Sequence, residues 1–131
     1  MGGCGASSSV KPLSGCIACK TCVSKHKYVF DNAVNEFLDI AGDYDGFVFG
    51  TPVHWGGASG SMTSFVDRAL YADVCGSGER FLLKPAAAVI SARRAGTTAT
   101  WDQVNKYFAL MQIPDTGTSS TGPHRSRSVK T

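Results

Sequence analysis

An apolar strand pattern, Gly46-Phe47-Val48-Phe49, runs through Gly50-Thr-Pro-Val-His-Trp-Gly-Gly57 directly into an amphipathic helix. The helix begins near Ser59 or Ser61, and Met62, Phe65, Val66, Ala69 and Leu70 share one face. A second strand follows at Pro85–Ser91, and its nearly unbroken apolar character is typical of a parallel sheet covered on both sides. After the loop Ala92–Thr97, a third periodic segment places Trp101, Val104, Phe108 and Met111 on one face. An earlier helix is read from Val34, Phe37, Leu38 and Ala41, with Asp31 as its N-cap and Gly42 as its stop. Helix, strand, helix, strand, helix is the order of an α/β chain wound through crossover connections.

Two strands are too few for a stable twisted sheet, so the pattern predicts an incomplete one. Residues 1–15 are rich in Gly and Ser and are expected to be flexible; residues 115–131 are almost free of apolar side chains and are expected to form a disordered tail. The organised part is therefore expected over residues 16–114. No apolar run is long enough to cross a bilayer, and no basic-then-apolar leader is read, so a cytoplasmic protein without membrane association is expected. The net charge of +3 is too small, and its basic residues too scattered among non-aromatic neighbours, for a nucleic-acid surface. Five cysteines without a secretory signal point to redox or metal chemistry rather than a disulfide framework.

Three groups of residues carry possible chemistry. In open α/β sheets, ligands bind in the crevice at the carboxyl ends of the strands. The stretch Thr51, Pro52, Val53, His54, Trp55 and Gly56 stands at such an end. It offers backbone amides after Pro52, a stacking face at Trp55 and room for close approach, which suits a flat, polar-edged ring such as a flavin. The plainer reading is a strand-to-helix turn with aromatics for packing. His54 can serve as a proton donor near neutral pH, or simply pack. At the end of the second strand, Ser91, Arg93, Arg94 and Gly96 place fixed positive charge where it can pair with a phosphate or an anionic ring. Finally, Cys16, Cys19 and Cys22 are spaced like the start of a bacterial [4Fe–4S] run, but the fourth cysteine is missing. His26 can complete a Cys3His zinc set; three plain reduced thiols are the simpler reading, ahead of both.

Four segments, taken in order, resemble the flavodoxin-like NADPH-dependent FMN reductases, in the branch that includes iron–sulfur flavoproteins and NAD(P)H:quinone oxidoreductases. They are Cys16–Cys22, Gly50–Gly56 with Phe65-Val-Asp-Arg68, Pro85–Gly96, and Trp101–Phe108. The likeness implies a flavodoxin-like parallel sheet with helices on both faces. It also implies that Thr51–Gly56 contacts the isoalloxazine and that Ser91, Arg93, Arg94 and Gly96 border it. The family usually opens with a strand and a phosphate-holding loop and continues past the position of Pro114. Neither segment is read here, so the first and last strands are expected to be absent.

The implied function is a flavin-dependent oxidoreductase that passes electrons from NAD(P)H through FMN to a quinone, a flavin or another small acceptor. The alternatives are a cysteine-loop metal or iron–sulfur redox module, or a non-functional fragment of such a reductase. Relatives often build the flavin site between subunits, which allows a homodimer or higher homo-oligomer.

Overall fold

The computed structural model describes residues 12–121. The elements are α1 (Thr21–Lys25), α2 (Ala33–Ala41), β1 (Phe47–His54), β2 (Gly57–Ala58), α3 (Gly60–Cys75), β3 (Ala86–Ser91), α4 (Thr97–Leu110) and β4 (Asp115–Thr121). Most of the segment expected to be flexible, and the end of the expected tail, lie outside the described residues.

The four strands form one sheet in the order β2-β1-β3-β4. The central pair, β1 and β3, runs parallel from Phe47↔Ala86 to Pro52↔Ser91. β4 pairs parallel with β3, whereas β2 pairs antiparallel with β1, so the sheet is mixed. The helices α3 and α4 are the crossovers between parallel strands, as the element order requires.

β4 corrects two expectations. Asp115 onward was expected to leave the fold as a tail, and the sheet was expected to lack its last strand. Instead Asp-Thr-Gly-Thr-Ser-Ser-Thr pairs along β3 from Ala86↔Asp115 to Ser91↔Thr121. Backbone pairing rather than apolar burial places this segment. It occupies a sheet edge, where a polar sequence is tolerated and protects against edge-to-edge association.

Burial alternates along both central strands. Phe49 and Thr51 are buried on β1, and Ala86, Ala88 and Ile90 on β3; Val48, Gly50, Pro52, Val89 and Ser91 are exposed between them. Helices therefore cover one face among the described residues, where cover on both faces was expected. The apolar run Ala86–Ile90 had been read as buried throughout, yet Val48 and Val89 remain 72% and 41% exposed.

The covered face is closed by aromatic rings. Phe37 of α2 meets Phe47 at 6.0 Å and Phe65 of α3 at 5.1 Å; Phe81 packs on Phe47 at 5.0 Å. Phe108 of α4 packs on Phe49 at 5.4 Å. Small Ala86 and Ala88 on β3 leave room for these rings. A contact of another kind joins α3 to α4: the Tyr107 hydroxyl donates to Asp67 Oδ1 at 2.6 Å. Burial, reinforced by the Asp67 carboxylate, pushes the Tyr107 phenol well above its ordinary range.

Helix ends follow local chemistry. The N-cap of α2 is Asn32 rather than Asp31, because the Asn32 side chain accepts from the Val34 N–H at 3.1 Å. Asp31 instead accepts from the Asn35 side-chain amide. Gly42 ends α2, and Lys84 Nζ donates to the carbonyls of Ala41 and Gly42.

Two outcomes follow. Phe108→Ala costs about 3–5 kcal/mol in urea unfolding, whereas Val48→Ala on the open face changes stability by less than about 0.5 kcal/mol. The Tyr107 phenol has a raised pKa in the fold, so its contribution is fully present below the unfolded value of about 10 and is lost as pH rises above it. Tyr107→Phe therefore flattens the loss of stability above about pH 10, read from unfolding midpoints across that range.

Candidate functional site

β1 extends five residues beyond the expected strand, through His54, and turns back at once into β2. The register His54↔Gly57 leaves Trp55 and Gly56 as the two turn residues, with φ of 51° and 84°. Both central residues at positive φ define a type I′ hairpin, whose twist matches the strands it joins. Gly56 takes this conformation freely. Trp55 does not, since a left-handed backbone at a bulky residue is strained. Its side chain packs on nothing and stands fully exposed.

The hairpin is held firmly beneath this exposed tip. The Thr51 hydroxyl accepts from the Ser59 N–H at 3.0 Å, and both residues are buried. Ser59 is also the N-cap of α3 and accepts from the Met62 N–H. Gln103 of α4 accepts from the Ala58 N–H at 3.0 Å. Neither Ser59 nor Gln103 stood out in the sequence as a site residue. No spacing rule links Gln103 to a position forty-five residues earlier, and only the fold brings them together.

The parallel register delivers the second loop beside the first. Pro52 lies opposite Ser91, so both chains leave the sheet at the same level. Gly96, the N-cap of α4, has φ of 97°. A Cβ there would stand 2.7 Å from Val53 Cγ1 and 3.1 Å from Gly56 Cα, so the two loops touch at a point where only glycine fits. Arg93 and Arg94 are exposed on this second loop. The structure thus brings Thr51–Gly56 together with Ser91–Gly96 at the carboxyl ends of β1 and β3. Thr51 faces inward and anchors, while Pro52, His54, Trp55, Gly56, Ser91 and both arginines face solvent. An unpacked indole, open glycine backbone and free cations on one rim fit a flat ring bearing an anionic tail, such as FMN.

The cysteine loop behaves differently. Cys16 and Cys19 are exposed, whereas Cys22 is buried in the first turn of α1. The Cys16 sulfur accepts from the Ala18 N–H, and the Cys19 thiol donates to the Thr21 hydroxyl. Ala18 and Lys20 both have positive φ, which turns successive cysteines in different directions. Among the described residues, no three His, Cys, Asp or Glu side chains stand close enough to hold a metal. Cys16, Cys19 and Cys22, with His26 as the other candidate, are not gathered into a metal site in this arrangement. The hydrogen bonds from Thr21 lower the Cys19 thiol pKa, and burial next to Cys75 raises that of Cys22.

Arg68 and its neighbour Asp67 do not pair with each other among the described residues. Asp67 instead receives the Tyr107 hydroxyl, and Arg68 points inward with its guanidinium 4.2 Å from the centre of the Tyr28 ring. Its position three residues after Phe65, at the margin of the apolar stripe, was the available signal.

Comparison with known proteins gives this geometry a lineage. An iron–sulfur flavoprotein of Methanocaldococcus jannaschii is 28% identical over 114 residues, which is 87% of this chain; the chain spans only 58% of that relative's length. The solved structure of the Trp repressor binding protein from Bacillus subtilis superposes with a TM-score of 0.62 at 17% identity, covering 81% of this chain and 76% of that one. At that identity the match establishes the shared flavodoxin-like fold. No helix among the described residues is long and apolar enough to cross a membrane. The model of the NADPH-dependent FMN reductases matches residues 8–123, and with nearly the whole chain so covered this protein belongs to that family.

Proposed function

We propose that this chain is a flavin-dependent oxidoreductase that passes electrons from NAD(P)H through FMN to a quinone, a free flavin or another small acceptor, and that it works in the cytoplasm. The observation that carries this reading is the meeting of the Thr51–Gly56 hairpin with the Ser91–Gly96 loop at the carboxyl ends of two parallel strands. Family membership supports it.

Bound FMN supplies the hydride acceptance and electron release. The chain's residues do the rest. Trp55 offers a flat apolar face, and the strained turn beneath it holds that face clear of the core. Thr51, Ser59 and Gln103 fix the hairpin so that its backbone amides keep their direction. Arg93 and Arg94 supply positive charge toward an anionic group. His54, exposed at the last position of β1, stands where a proton can be exchanged with solvent and ligand. A second copy completing the rim belongs to the same proposal. The β1 edge over Phe47–Pro52, opposite β3, has no strand partner among the described residues.

Absorbance after FMN loading and desalting tests the reading. It predicts a retained flavin spectrum and NADPH oxidation when a quinone is added; loss of all flavin on desalting, with no oxidation, contradicts it. Light scattering of the loaded protein is expected to give a dimer or higher species, and a loaded monomer rules out the shared rim. Trp55→Asn separates fold from function. Asn accepts the left-handed turn, which for a bulky residue costs about 1–2 kcal/mol. The variant is therefore at least as stable in urea, while FMN affinity falls about ten-fold with the lost stacking face. Gly96→Ala lowers both stability and FMN affinity, because its Cβ pushes the two loops apart.

A further inference from the structure

The segment around α1 packs along α3. Near the start of α3, a Cβ on Gly15 would stand 4.0 Å from Ser64 Oγ; at its far end, a Cβ on Gly76 would stand 3.2 Å from His26 Cβ. His26 caps the C-terminus of α1 and Gly76 that of α3, so the two helices end side by side. Cys22 stands one turn before His26, whose N–H donates to the Cys22 carbonyl at 2.9 Å. Cys75 is the last residue of α3. The two side chains meet there thiol to thiol, and the Tyr71 hydroxyl reaches the same Cys75 thiol. Cys22 is buried in the core, whereas Cys75 is partly exposed beside the exposed Tyr71. Cys16 and Cys19 are held otherwise, by bonds to the Ala18 N–H and the Thr21 hydroxyl within their own loop. A disulfide needs two cysteines whose side chains converge across a short gap between fixed backbones. Among the described cysteines, Cys22 and Cys75 meet that condition across two packed helix ends.

We propose that Cys22 and Cys75 are a redox-active pair, closed to an intramolecular disulfide by a small organic disulfide and reopened by a small thiol. The partly exposed Cys75 reacts first. Its thiolate attacks one sulfur of R–S–S–R; a Cys75–S–S–R bond forms and RS⁻ leaves. The Cys22 thiol then gives up its proton, and its sulfur attacks the Cys75 sulfur. The Cys22–Cys75 bond forms and the second RS⁻ leaves. Two protein thiols are oxidised, one R–S–S–R is reduced to two RSH, and both protons end on the released thiols. The bridge ties α1 to the end of α3 and closes a long loop of chain, which restricts the unfolded state. Neither cysteine belongs to the flavin rim, so the pair does not rest on the proposed reductase activity.

The test titrates the reduced full chain with oxidised glutathione, blocks remaining thiols with iodoacetamide, and maps disulfide-linked peptides by mass spectrometry under non-reducing conditions. The proposal predicts that Cys22 is recovered joined to Cys75, while Cys16 and Cys19 are recovered alkylated. The oxidised chain has a thermal midpoint at least about 5 °C above the reduced one, and reduced glutathione in excess reverses the shift. Cys75→Ser removes both the linkage and the shift on oxidation. A Cys16→Ser, Cys19→Ser double variant keeps both. Where Cys75→Ser does not fold, the peptide map of the parent decides. Cys22 joined to any other cysteine, Cys22 still alkylated at the highest oxidant ratio, or an oxidised parent no more stable than the reduced one would each overturn the proposal.

Discussion

The parallel pairing of β1 with β3 is the constraint from which the site follows. It sets Phe47 and Phe49 on the same side as Ala86, Ala88 and Ile90, where rings from α2, α3 and α4 and the loop residue Phe81 close over them. The same pairing brings Pro52 level with Ser91. Two loops separated by nearly forty residues therefore leave the sheet side by side, and Gly96 lets them touch. Without this register, Trp55 and the two arginines would be isolated surface residues. With it, they share one rim.

Stability and function pull in different directions along β1. The lower part, around Phe49 and Thr51, is buried and hydrogen-bonded. The tip carries an indole in a left-handed turn that a smaller residue would occupy at lower cost. Strain of this kind persists where the surrounding structure enforces it, and it clusters at binding sites. Here Thr51, Ser59 and Gln103 form that surround. The neighbouring helices carry a second unresolved cost in Arg68, whose buried charge finds no partner among the described residues.

Much of this was legible in the chain, for identifiable reasons. The helices announced themselves through Met62, Phe65, Val66 and Ala69, and through Val104 and Phe108, because a one-sided apolar stripe leaves a period of 3.6. The central strands were found, but their reach and exposure were not. Phe47-Val48-Phe49 and Ala86–Ile90 are apolar on both sides, so composition hid the alternation that the structure reveals. β4 left no apolar signal, since a polar edge strand is held by its backbone. The positions of Thr51–Gly56 and Arg93–Arg94 were readable as strand ends. The contacts from Ser59 and Gln103 were not, because a single side chain reaching a distant backbone leaves no pattern. The Cys-x-x-Cys-x-x-Cys spacing did not show that Cys22 is buried while Cys16 and Cys19 are exposed, because left-handed residues at Ala18 and Lys20 redirect the loop.

The most direct test of the joined rim is an amide chemical-shift map of the 15N-labelled protein during FMN titration. The account predicts that the largest changes fall together on residues 53–57 and 91–97, saturating along one curve, with residues 47–50 and 86–88 lower in the same strands nearly unmoved. Changes confined to one of the two loops, or centred elsewhere on the molecule, would contradict the claim that the parallel pair builds a single flavin site.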